Sequence, residues 1–389
     1  MVVADARREP PGAAGVAPVS PARAVLTRLA IRDFRNIARL DFAPPPEGFA
    51  LIGENGQGKT NLLEAIHYLQ LLRSFRGARD AELVRFDTAG FHLSAEMADA
   101  PHRSVSVGFE RAGKRKRVLV DGDERARLAD ALGAFPAVLL SPRDADIVAG
   151  APSARRRLLD VMLALSSRPY LAALQRYRAA LAQRSAAMRR PGALRDQSVA
   201  VWDAPLAEHG AILWRARSDW ALAYRTRYAE LCAAIGERAT ADLSYASSIE
   251  DSGDVEAALR DALARNRSAD IRRGLTHAGP HRDDLSLTLG GRDLRTYGSA
   301  GQQRTAAIAL RLLEAHTRRA ASGCEPIVLL DDPFAALDAR RAARILELLV
   351  AQGNGQTILA VPRADDIPPR LTRLPRYLIA AGVVQRAPE

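Results

Sequence analysis

Gly53-Glu54-Asn55-Gly56-Gln57-Gly58-Lys59-Thr60 is the stretch from which the fold can be read. It fits the pattern G-x-x-x-x-G-K-[ST]. The apolar run Phe49-Ala50-Leu51-Ile52 precedes it, and NLLEAIHYLQLLR (61–73) follows with apolar spacing near 3.6. Strand, glycine-rich turn and helix in that order make a phosphate loop. The glycines let main-chain N–H groups wrap phosphates, and the helix N-terminus adds the positive end of its dipole. Lys59 is expected to reach the β- and γ-phosphates of ATP, and the Thr60 hydroxyl to ligate Mg²⁺. Lysine occurs elsewhere only at Lys114 and Lys116, so 53 of the 56 basic residues are arginine. A compact ammonium at position 59 suits a phosphate cradle better than a wide guanidinium fork.

Such a loop needs a second Mg²⁺ anchor on a neighbouring strand. Ile327-Val328-Leu329-Leu330-Asp331-Asp332-Pro333 supplies one, four apolar residues ending in two acids. Ligands of open α/β sheets gather at that end of the strands. Asp331 is expected to hold Mg²⁺, and Asp332 to orient or deprotonate the attacking water. Between loop and acids, Tyr297-Gly298-Ser299-Ala300-Gly301-Gln302-Gln303-Arg304 heads another predicted helix, a second anion cradle. One γ-phosphate does not need two cradles from one chain, so the second points to a symmetric head-to-tail homodimer with ATP between subunits. Ala336-Leu337-Asp338 then reads as a loop able to cross that interface.

This order resembles the ATP-binding-cassette ATPases. The detail resembles the RecF family within the SMC-like heads: Asp33-Phe34-Arg35-Asn36, GENGQGKTNLLEAI (53–66), Ser74-Phe75-Arg76, Ala278-Gly279-Pro280-His281-Arg282-Asp283-Asp284 and GSAGQQRT (298–305). The resemblance runs from about 25 to 350. It implies an ATP-dependent DNA-binding dimer in DNA replication, recombinational repair and SOS induction, acting at stalled forks and gapped or single-stranded DNA with RecO- and RecR-type mediators. It also implies weak, DNA-stimulated hydrolysis. By the same resemblance, Asn55, Gly58, Lys59 and Thr60 belong to the nucleotide site, Ser299, Gly301 and Gln302 to the signature, and Asp338 to the interface loop. Arg76 falls where SMC-like heads carry an arginine linked to DNA and hydrolysis. Three departures stand out. Ser141-Pro142-Arg143-Asp144 lacks the family's glutamine near Mg²⁺, Thr357–Arg363 lacks a His or Thr sensor, and position 332 carries Asp where many cassette ATPases have Glu.

The expected fold class is therefore α/β, an SMC-like cassette ATPase head with an inserted helical lobe. Residues 25–150 and 275–389 form its two halves, 151–274 the lobe, and 1–24 a disordered Pro/Ala/Gly tail. In the first half, FHLSAEM, RSVSVGF and KRVLVDG alternate as strands do; 155–190 and 202–238 have helical periodicity, broken at Pro191-Gly192. LSLTL (285–289), IVLLDD (327–332), TILAV (357–361) and YLIAAGVVQ (377–385) read as strands returning to the sheet.

Composition excludes other classes. With 48% hydrophobic residues the 389-residue chain is not wholly disordered. No window holds 18 uninterrupted apolar residues, and the first two dozen lack a signal-type apolar run. Cys232 and Cys324 are too few for a disulfide or zinc scaffold, so a cytoplasmic protein is expected. The net charge of +11 attracts polyanions. Candidate DNA contacts are Arg73, Arg76 and the run Arg155-Arg156-Arg157, for which the alternative is a solvated helix face. His281-Arg282-Asp283 resembles a kinase triplet, but position 288 is Thr where that pattern needs Asn, so it reads as a turn. Two other functions fit parts of the pattern. A transporter motor subunit has a much shorter stretch between loop and signature, and a non-hydrolysing DNA scaffold would use ATP only to glue the dimer.

Overall fold

The computed structural model describes residues 22–192, 194–249, 253–334, 339–351 and 355–388. From the N-terminus come β1 (Val25–Phe34), β2 (Ile37–Phe42), β3 (Gly48–Ile52) and helix α1 (Lys59–Leu71). Strands β4 (Gly90–Ala98), β5 (Ser104–Glu110), β6 (Arg115–Val120) and β7 (Ala137–Leu140) follow. Helices α2 (Pro152–Ser166), α3 (Arg168–Met188) and α4 (Asp203–Ile235) lead to β8 (Ala241–Ala246), α5 (Val255–Arg273) and β9 (Asp284–Leu289). The chain continues through α6 (Ala300–Ser322), β10 (Ile327–Asp331), α7 (Ala339–Ala351), β11 (Thr357–Val361), β12 (Arg376–Ala380) and β13 (Val383–Arg386).

Two large sheets organise these elements. One has the order β13-β12-β3-β11-β10-β7, all parallel except the β13 edge. The other is antiparallel, in the order β2-β1-β4-β5-β6. Strands β3, β7, β10 and β11 are buried, mainly apolar runs because both of their faces are covered, whereas β12 toward the edge is mostly exposed. Alternate residues of one strand enter different cores. Phe49, Leu51, Leu329 and Ile358 pack with α1 and the antiparallel sheet, whereas Ala50, Ile52, Leu330 and Leu359 pack with α2–α6. The period-two side-chain alternation of a strand produces this division. Helix α1 lies between two sheets and is buried nearly all round.

Sequence expectation and structure differ at several elements. The tail expected at 1–24 is not disordered at its end: Ala22 and Arg23 pair with Cys324 and Glu325, and Ala24 is fully buried, while residues 1–21 lie outside the described residues. The helical stretch near 155–190 is two helices, because Ser167 ends the first and caps the second by accepting from the Tyr170 N–H. LSLTL does not join the main sheet; as β9 it pairs antiparallel with β8, a strand inside the expected helical lobe. YLIAAGVVQ is a hairpin turning at Ala381-Gly382, of which β12 pairs with β3. Buried charge ties the helices together. The fully buried Arg184 of α3 donates to Asp203 of α4 and Asp270 of α5, at 2.9 and 2.7 Å.

Candidate nucleotide site

Strand β3 ends at Ile52 and α1 begins at Lys59, so the loop sits at the C-terminal edge of the parallel sheet. Gly58 caps α1 at φ 119°, a left-handed conformation that only glycine adopts without strain. A Cβ there would also lie 2.9 Å from the Asn36 amide. The cap has no side-chain hydrogen bond, so the first N–H groups of α1 face the loop. Lys59 is buried and its ammonium donates to the main-chain carbonyls of Gly53 and Glu54. Burial pulls its pKa down, while Asp331 and Asp332 push it back up.

The loop and the acidic strand meet directly. The Thr60 hydroxyl lies 3.0 and 3.1 Å from the two carboxylate oxygens of Asp331, across 271 positions of sequence. Burial raises the Asp331 pKa most, and neighbouring Asp332 adds to that; the Thr60 hydrogen bond, Lys59 and Arg76 oppose it. Asp332 follows the end of β10 at φ 44°. Its pKa is raised by burial and by Asp366, and lowered by Lys59 and Arg304.

Residues whose roles were not assigned from sequence brace the loop. Asn36 donates to the Gln57 carbonyl at 3.0 Å and accepts from Asn61 at 2.9 Å. The Gln57 side-chain oxygen accepts from the Ala381 N–H at 2.7 Å, tying the loop to the β12–β13 hairpin. Glu64, fully buried in α1, receives Arg35 at 2.9 and 3.2 Å together with the Ser74 hydroxyl. Arg76 lies 3.7 Å from Glu64 and donates to Asn61 at 3.1 Å. One signal for Glu64 was present in the sequence, a charged residue inside an apolar helix, which needs a partner when buried.

Ser299 caps α6. Its hydroxyl accepts from the Gln302 N–H at 3.3 Å, and the Gln302 side chain accepts from the Ser299 N–H at 2.9 Å. This reciprocal pair leaves the Ser299 O–H proton and the N–H of Ala300 and Gly301 free of helix bonds. Among the described residues, no hydrogen bond or ion pair joins Ser299, Gly301 or Gln302 to loop 53–60. Arg304 donates from α6 to the Pro333 carbonyl at 2.9 Å, linking this helix to the acidic strand. Asp338 lies outside the described residues.

One expected DNA contact is corrected. Arg155 is 4% exposed; Asp284 takes its guanidinium at 2.9 and 2.7 Å, and the carbonyls of Ile147, Val148 and Gly150 take the rest. A guanidinium so enclosed is a structural strut, unavailable to DNA. Arg156 is half-buried and donates to the Asp283 carbonyl at 2.8 Å, whereas Arg157 and Arg73 are exposed. In the stretch 141–144, where the resemblance led to the expectation of a glutamine, Asp144 accepts the Ser141 N–H at 2.7 Å and Arg311 of α6 at 2.6 Å. Asp283 of the kinase-like triplet accepts from the Tyr245 hydroxyl at 2.6 Å, in a turn entering β9.

A family model described as the RecF/RecN/SMC N-terminal domain matches residues 25–366. DNA replication and repair protein RecF of Frankia alni is 38% identical over 380 residues, covering 93% of this chain and 99% of that protein. The chain belongs to the RecF family. RecF of Salinibacter ruber is 34% identical over 362 residues, covering 90% of this chain and 88% of the relative. Among solved structures, the recombination mediator protein RecF with ATP, of the RecFOR pathway, superposes with a TM-score of 0.85 at 26% identity. That match covers 96% of this chain and 100% of the other. The Smc head domain of Pyrococcus furiosus superposes at 0.54 with 15% identity, a likeness of fold alone. RecF membership sets the transporter reading aside. Among the described residues, no helix is long and apolar enough to cross a membrane.

Proposed function

We propose that this RecF-family chain is an ATP-gated DNA-binding dimer of recombinational repair, released by slow hydrolysis. The observation that carries the reading is Thr60 held against Asp331, which places hard oxygen donors beside the phosphate cradle. Such a pair suits Mg²⁺, whose remaining ligands would be phosphate and water oxygens; a bound Mg²⁺ would neutralise charge on the β- and γ-phosphates. Among the described residues no cluster of three or more His, Cys, Asp or Glu forms a metal cage, in keeping with a cation shared with nucleotide.

In this reading Gly53–Gly58 wrap the phosphates and Lys59 neutralises them. Asp332, whose carboxyl burial and Asp366 make more basic, accepts a proton from water. Ser299, Gly301 and Gln302 present the N-terminus of α6 to a nucleotide bound by a second copy, and Asp338 is retained as an interface candidate on the resemblance alone. Arg73, Arg76, Arg156 and Arg157 remain candidate DNA contacts, and RecO- and RecR-type mediators the candidate partners. The lobe division at 25–150, 151–274 and 275–389 belongs to the same proposal; helices α2–α5 all fall in its middle segment, and they share one core with α6 and one face of the parallel sheet.

Lys59→Ala tests the reading. ATP binding followed by fluorescent nucleotide titration should be lost while circular dichroism stays that of the parent. Parental affinity in that variant would overturn the site. ATP turnover measured with and without DNA separates the hydrolysing reading from the scaffold, which gives no turnover.

A further inference from the structure

A cleft of about 550 Å³ lies between the end of α1, helix α2 and helix α3. It is far from the phosphate loop, because α1 begins at Lys59 and its 13 residues span about 20 Å. The floor is aliphatic, made by Leu71, Leu132, Val161, Leu165, Leu171 and Leu174. Arg73, Arg156, Arg157, Arg178 and Arg217 line it as well, with Asp160 as the sole carboxylate among the lining residues.

That carboxylate is fully used. One oxygen of Asp160 accepts the Tyr170 hydroxyl and Arg217, each at 2.7 Å, and the other accepts Arg178 at 2.8 Å. Arg156 is held by the Asp283 carbonyl. Arg73 and Arg157 have no hydrogen bond or ion pair to a described residue. The Arg73 side chain reaches solvent, but partial desolvation against the cleft and the nearby charges of Arg157 and Arg178 lower its pKa, with Asp160 opposing them. The protein thus concentrates five arginines over an apolar floor against one carboxylate, which is already taken by Arg178 and Arg217.

We propose that this cleft docks a segment of a partner protein in which large aliphatic side chains are flanked by carboxylates. The floor would take the aliphatic groups, and Arg73 and Arg157 the carboxylates, an assignment that removes these two arginines from the candidate DNA contacts and leaves Arg76 and Arg156. Guanidinium–carboxylate bonds of this kind are charge-assisted and forked. A nucleic-acid backbone offers phosphates but nothing to fill an aliphatic recess, and stacked bases favour aromatic platforms. The aromatic lining here is Tyr177 and His281, already bonded to each other at 2.7 Å. This inference does not depend on the nucleotide reading.

The test uses the full-length protein and a fluorescein-labelled peptide, EELLEE, followed by anisotropy. Saturable binding is expected, more than tenfold weaker for EESSEE and absent for KKLLKK. The double variant Arg73→Glu, Arg157→Glu should bind EELLEE more than tenfold more weakly. Both side chains are exposed, so its thermal midpoint should match the parent. If that variant is nonetheless unfolded, Arg73→Ala alone and Arg157→Ala alone are each expected to weaken the probe severalfold. No binding of EELLEE, equal binding of EESSEE, or full affinity in the substituted proteins would overturn the proposal. It would also be overturned if a thymidine oligonucleotide displaced the probe and the double variant lost DNA affinity in parallel, which would assign the arginines to nucleic acid.

Discussion

Glu64→Ala removes the carboxylate on which three loop-bracing groups converge. Glu64 is fully buried and receives two charge-assisted bonds from Arg35, one hydroxyl bond from Ser74, and the Arg76 charge at 3.7 Å. Breaking a buried ion pair from one side costs about 3–5 kcal/mol, since the partner charge is left buried. Here Arg35 keeps 20% and Arg76 34% of side-chain exposure, so both can partly rehydrate. The expected loss of unfolding free energy is therefore about 3 kcal/mol, at the low end of that range. Urea denaturation of Glu64→Ala, Arg35→Ala and the double variant gives the coupling, expected at about 1.5 kcal/mol or more. The exposed pair Arg117–Glu124, at 68% and 49% side-chain exposure, is an internal control in which solvent screening leaves little coupling. ATP affinity should fall in Glu64→Ala, because Arg76 and Asn61 lose the anchor that orders them beside the loop. Additive single effects, or a Glu64→Ala cost no larger than the surface control, would refute the argument that this carboxylate organises the site.

Burial holds His67 at a pKa of about 3 and His281 at about 4, against an ordinary value of 6.5, so below pH 6.5 the unfolded chain takes up protons the folded chain refuses. Unfolding free energy should drop by about 4 kcal/mol between pH 7 and pH 5 from these two groups, and His67→Gln should remove roughly half of that drop in urea titrations at the two pH values. Asp332→Asn should retain ATP yet hydrolyse it far more slowly, trapping a dimer visible by size exclusion; parental turnover would show that another group positions water. Ser299→Arg should keep monomer ATP affinity but lose ATP-dependent dimerisation, and mixing it with Lys59→Ala should restore some hydrolysis through the one intact composite site. Arg155→Ala should lower unfolding free energy by about 3 kcal/mol by stranding Asp284, whereas Arg157→Ala should leave stability within about 0.5 kcal/mol.

Much of this protein was legible without coordinates, and the legible parts share a cause. The loop 53–60, the apolar runs at 49–52, 327–330 and 357–361, and the Ser299–Gln302 cap are all set by residues within a few positions of one another. Backbone conformation, strand alternation and helix capping act over that range, so residue order alone determines them. What only the tertiary structure decided involves groups distant in sequence. Thr60 reaches Asp331 because β3 and β10 both flank β11 in one parallel sheet. Arg155, indistinguishable in sequence from Arg157, is a buried strut because α2 turns it toward Asp284 at the start of β9. LSLTL left the main sheet because Ala241–Ala246 offered it a ladder of its own. Glu64 became a hub only once the turn before β2 and the segment after α1 closed over it. A buried charge or an unpaired strand must find a partner, but which partner it finds depends on the packing of the whole chain.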